Sequence, residues 1–120
     1  MAAVIVLLLA CGEEVPEETG AIQDTAAPAV VDPDCVDAPA VTWQSWGEGF
    51  FTSWCQPCHS ATTPQRNGAP AGVDFDTEAD LISWADAVRR TVLEEGSMPV
   101  GGGLSADDAV LLEALLDCGL

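Results

Sequence analysis

The stretch "SWCQPCHS", Ser53–Ser60, places two cysteines three positions apart, with Trp54 before the first and His59 directly after the second. Read toward the N-terminus, Trp-Cys-x-Pro-Cys is the pattern of a thiol–disulfide exchange site. Read toward the C-terminus, Cys-x-x-Cys-His is the pattern at which haem is attached through two thioethers. Exchange chemistry needs the dithiol at the end of a buried strand, with further strands beside it. Haem attachment needs thiols one helical turn apart on one face, which i, i+3 spacing supplies, and a His carried under the ring to iron. The flanking residues decide between them.

Upstream, Trp43, Trp46, Gly47, Phe50, Phe51 and Trp54 fall at helical spacing on one face. Thr42 is a fair N-cap, so the pattern predicts a helix over about 43–55 that continues as a turn through the motif. Downstream, "SATTPQRNGAPAGVDF" reads as loop. Thr77 and Asp80 form a capping-box pattern that opens a second helix. Its face is Leu81, Trp84, Ala85, Val88 and Val92, and Gly96 ends it. "SMPVGGGL" is loop again, since half of it is Pro or Gly. Ser105 with Asp108 caps a last helix, apolar at Leu112, Leu115 and Leu116. Only "GVDF" has the look of a strand, and a short one. The expected fold is therefore all-α, three helices joined by Gly- and Pro-containing loops.

No sheet is left to carry an exchange site, although Met98-Pro99 could imitate the proline loop that faces a thioredoxin dithiol. Two thiolates at this spacing also suit zinc, but His59 follows Cys58 too closely to turn back to the same ion. His59 is the single His of the chain. A second axial ligand from the protein therefore cannot be His, and Met98 is the one Met besides Met1. The 80 residues from 41 to 120 lie near the lower limit for a self-sufficient core, and a large apolar cofactor would fill it. Phe50, Phe51, Trp84, Val88 and the Leu104 region are its expected walls. Arg66 is a candidate partner for a haem propionate, and Arg89 and Arg90 read as ordinary surface residues.

Charge and the N-terminus narrow the setting. Twenty acidic residues face three Arg and no Lys, a formal net charge of −17. Nucleic acid is excluded as a partner by the lack of clustered cations; a basic protein surface fits, and so does plain solubility. "MAAVIVLLLA" is too short to span a bilayer and suits the core of an export signal over residues 1–10. "LLLAC" resembles a bacterial lipoprotein box, with Leu8 at −3, Ala10 at −1 and Cys11 as the lipidated residue; an ordinary signal is the alternative. Residues 11–40, rich in Glu, Asp, Pro, Ala and Thr, read as an acidic disordered tether. Export lets disulfides persist. Cys11 then takes lipid, Cys55 and Cys58 form the motif, and Cys35 is left to pair with Cys118, unless either is free or bonded to another chain. Closing that loop is worth about 4–5 kcal/mol on the chain-entropy model.

The segment 41–120 resembles a small class I c-type cytochrome. Cys55, Cys58 and His59 match its attachment motif. Gly47 and Phe51 match its first-helix pattern, "SMPV" its Met-Pro ligand loop, and "NGAP" the loop whose proline carbonyl accepts a hydrogen bond from the proximal His. The resemblance implies a small three-helix cytochrome c-like fold around one covalent haem c, with His59 and Met98 as iron ligands. It implies close crossing of the first and last helices at Gly47, with Phe51 packed there and the last-helix leucines opposite. It maps the hydrogen-bonding carbonyl to Pro70. The expected function is one-electron transfer between redox protein partners, on the periplasmic or outer-membrane side, with membrane contact through lipid at Cys11. Five-coordinate gas binding with Met98 unligated, and thioredoxin-like exchange at Cys55 and Cys58, stay open as alternatives.

Overall fold

The computed structural model describes residues 32–120; the expectations for an export signal, for lipid at Cys11 and for most of the tether lie outside these residues. Three α-helices follow one another: α1 (Glu48–Trp54), α2 (Glu78–Val88) and α3 (Ala106–Cys118). A wide π-type turn, Trp43–Gly47, leads into α1, and another, Arg89–Glu94, extends α2. No strand occurs among the described residues, so the all-α expectation holds and "GVDF" is loop. No helix there is long and apolar enough to cross a membrane.

Each helical unit starts where a side chain satisfies the free N–H groups of its first turn. Thr42 Oγ1 accepts from Ser45 N at 3.1 Å, and Ser45 Oγ accepts from Thr42 N at 2.9 Å. Thr77 and Asp80 do the same for α2, at 3.2 and 2.9 Å. Ser105 Oγ accepts from Asp108 N at 3.0 Å and opens α3. Acidic side chains in these first turns, Glu48, Glu78, Asp80, Asp107 and Asp108, also face the positive ends of the helix dipoles. Gly96, at φ +62°, lies two residues beyond the α2 extension, where an L side chain would be strained.

The core is small and aromatic. Phe51, Leu81, Leu112 and Leu115 are fully buried, with Trp43, Phe50, Phe75, Val88 and Ala114 close to it. Phe51 sits between Trp43 and Phe75, with ring centroids 5.6 and 5.3 Å away, and Trp46 stacks on Phe50 at 4.6 Å. α3 is the common buttress: it packs on the turn before α1, on the extension of α2 and on a 3-10 turn at Pro33–Cys35. Gly47 makes the first of these contacts possible. A Cβ there would lie 3.0 Å from Leu115 Cδ2 and 3.2 Å from Trp43 Cε3, closer than side chains normally pack. At the other end of α3, Cys118 and Cys35 lie at disulfide distance with Cα atoms 5.7 Å apart. Arg89 pairs with Asp117 beside them.

Candidate functional site

The motif is the C-terminal continuation of α1. Cys55 N donates to Phe51 O at 2.9 Å, Cys58 N to Cys55 O at 3.1 Å and His59 N to Cys55 O at 2.8 Å. One helical turn thus carries both thiols and delivers His59 at its end. The loop that follows folds back on this turn. Phe75 N donates to His59 O at 2.9 Å, and the Gln56 side-chain amide donates to Phe75 O at 2.9 Å. Phe75 is buried and meets the His59 ring edge-on, with centroids 5.5 Å apart. Asp76 then holds the residues just past His59: its carboxylate accepts from Ala61 N at 2.8 Å. The Ser60 hydroxyl first, and the Ala61 N–H second, lower the Asp76 carboxyl below its usual value of 3.8.

The imidazole has one defined partner. His59 Nδ1 lies 2.9 Å from Val73 O. A carbonyl oxygen only accepts, so Nδ1 carries a proton in this contact, and in the neutral ring Nε2 is the nitrogen that keeps its lone pair. That is the tautomer and the free nitrogen a metal requires. The carbonyl therefore belongs to Val73 and not to Pro70, three residues earlier, which the resemblance implied. Pro70 O is taken instead by Arg66, at 2.7 Å.

His59 lines an apolar cavity of about 300 Å³, within the usual size range of ligand pockets, roughly 300–1,000 Å³. Its walls are Phe50, Phe51, Trp54 and Cys55 from the first helix, Trp84, Ala87 and Val88 from α2, and Val73 and Phe75 from the loop. Met98 and Pro99 close it from the loop after α2. A second lobe of about 600 Å³ shares Trp54, Cys55, His59, Pro70, Met98 and Pro99 and adds Cys58, Arg66–Ala69 and Val100. Both thiols, the single imidazole and the single candidate thioether ligand therefore border these two adjoining lobes. Leu104, expected in its wall, packs on the core instead and does not line it.

The donor set discriminates among chemistries. Burial pushes the Cys55 thiol up to about 12, so it stays protonated at neutral pH. Exchange dithiols need the opposite shift, a lowered thiol pKa. No group of three or more His, Cys, Asp or Glu close enough to share a metal ion occurs among the described residues. A flat apolar cofactor held by two sulfur bonds and one nitrogen fits the thiols, the ring nitrogen and the apolar walls.

Arg66, the propionate partner expected from sequence, borders the second lobe, with its donors already engaged. It forms an ion pair with Asp74 at 2.7 Å, and its other donors go to backbone carbonyls of its own loop. Arg90 borders the first lobe and keeps only a long contact to Glu95, 3.7 Å. Sequence reasoning also missed Val73, Phe75, Gln56 and Asp76. The alternation in "VDF" was the available signal: it turns Val73 and Phe75 toward the cavity and Asp74 toward Arg66.

No protein-family model matches the chain, and neither the search of curated proteins nor that of solved structures finds a match.

Proposed function

We propose that residues 41–120 form a cytochrome c-like domain that holds one covalently attached haem c and carries single electrons between redox proteins. One observation carries the reading: His59, its proton committed to Val73 O, borders an apolar hollow with Cys55, Cys58 and Met98. Cys55 and Cys58 would hold the group as thioethers, and His59 Nε2 and Met98 Sδ would bind its iron. When bound, haem supplies an Fe(III)/Fe(II) couple whose potential thioether ligation raises.

The chain does the remainder. Phe50, Phe51, Phe75 and Val88 keep water from the inner side of the hollow, and a low-dielectric wall favours the less charged, reduced state. Val73 fixes the plane and tautomer of His59. Arg90, at the rim, is the cation suited to a carboxylate side chain of the bound group. Trp54, 40% exposed beside Cys55, marks the open edge where a partner would meet it. Lipid at Cys11, a periplasmic or outer-membrane location and a basic partner surface belong to the same proposal and rest on the sequence signals and the −17 charge.

Five-coordinate gas binding is the second reading. It is favoured by one observation: Met98 is 37% exposed, on a loop flanked by Gly96 and Gly101. Carbon monoxide separates the two. The reduced, haem-loaded protein should not bind it, while Met98→Ala should keep the haem and bind it readily. Carbon monoxide binding by the unmutated reduced protein would replace electron transfer with gas binding.

A further inference from the structure

Arg66 uses every donor it has inside its own loop. Nε donates to Ala69 O at 3.4 Å, Nη1 to Ser60 O at 2.8 Å and to Asp74 Oδ1 at 2.7 Å. Nη2 donates to Pro70 O at 2.7 Å and to Val73 O at 3.0 Å. A guanidinium has five N–H groups, so none is left over. The last acceptor is the oxygen that also takes the His59 Nδ1 proton, at 2.9 Å. Its two lone pairs thus hold one imidazole and one guanidinium.

We propose that Arg66 is a positioning residue for His59 that acts through the Val73 carbonyl. It has two effects. The first is orientation. Arg66 ties residues 60, 69, 70, 73 and 74 into one unit, which fixes the oxygen that selects the Nδ1–H tautomer and leaves Nε2 open. The second is electronic and rests on the haem reading. A cationic donor on the Val73 oxygen weakens its pull on the Nδ1 proton. The ring would then donate less charge to iron, which holds the reduction potential up. Asp74 opposes this, because its carboxylate offsets part of the guanidinium charge.

The opposed roles of Arg66 and Asp74 give the test. In the haem-loaded full chain, Arg66→Gln should shift the reduction equilibrium toward the oxidised form by about threefold to tenfold, tenfold being 59 mV for one electron. Asp74→Asn keeps an acceptor for Nη1 and removes the negative charge, so it should shift the equilibrium the other way. Arg66→Lys should restore part of the loss, and it serves if Arg66→Gln does not fold. A purely structural role would lower the stability of both loop variants without separating their potentials. Potentials that stay put, or move in the same direction, overturn the electronic effect and leave the haem reading standing. The orientation effect has its own readout. In the reduced, haem-loaded full chain, nitrogen-15 NMR should find a slowly exchanging proton on His59 Nδ1, and Arg66→Gln should speed its exchange. An Nδ1 proton that exchanges freely in the wild type, or that ignores the substitution, overturns the orientation effect.

Discussion

At the scale of single residues, the site depends on backbone groups that the side-chain pattern does not announce. His59, Cys55 and Cys58 were legible because their chemistry lies in their side chains and their spacing. Val73 serves through its carbonyl, and any residue has one, so nothing in its identity marks the role. Asp76 serves through a turn contact fifteen residues away in sequence, which spacing rules do not reach. Its contribution has a pH signature. The Asp76 carboxyl is held below its usual value of 3.8, so the folded state favours the ionised form. That stability is complete above the usual value and is lost as pH falls through the lowered one. Asp76→Ala should therefore unfold at a lower temperature than the wild type near neutral pH, and the gap should close on acidification below pH 3.8. A gap that persists unchanged in acid would mean the carboxylate charge is not what holds Ala61 and Ser60.

At the scale of elements, caps and glycines set the geometry. The helix starts at Thr77 and Ser105 were readable, because Ser, Thr and Asp at N-cap and N3 satisfy the first-turn N–H groups locally. The reciprocal partner at Ser45 is also local, but Ser replaces the usual acidic or amide residue there. The widening of the backbone at Trp43–Gly47 and Arg89–Glu94 was not readable. It answers to packing against α3, a tertiary effect. Two glycines five and seven residues before Trp54 test the crossing. At Gly49 a Cβ meets nothing within 4 Å, so Gly49→Ala gains only helix propensity, about 0.5–1 kcal/mol. At Gly47 the same gain is opposed by overpacking against Leu115, which is fully buried and has little room to yield. Overpacking costs about 1–3 kcal/mol and wins. Thermal unfolding should show Gly49→Ala raising the midpoint and Gly47→Ala lowering it; equal shifts would show that the helices do not cross closely at Gly47.

At the scale of the whole molecule, a small aromatic core, one long covalent loop and a hollow stand together. The all-α class followed from apolar residues at helical spacing, and the expectation that something fills the centre followed from the short chain. The path of residues 60–75 did not, because a loop held by one guanidinium and a few carbonyls leaves no periodic trace. The Cys35–Cys118 link spans 83 positions, and neither residue lines the hollow. Replacing both by Ser should cost about 4–5 kcal/mol of stability on the chain-entropy model, read from denaturant midpoints, while the absorption spectrum of the loaded protein stays the same. A spectrum that changes would tie the link to the site. The central claim is the covalent cofactor, and intact-mass spectrometry tests it most directly. The chain is expressed with export and haem-attachment machinery, then denatured and acid-extracted before weighing. The account predicts a mass greater than the polypeptide by one haem, and its loss when Cys55 and Cys58 are both replaced by Ser. A wild-type chain that weighs as bare polypeptide under these conditions contradicts it.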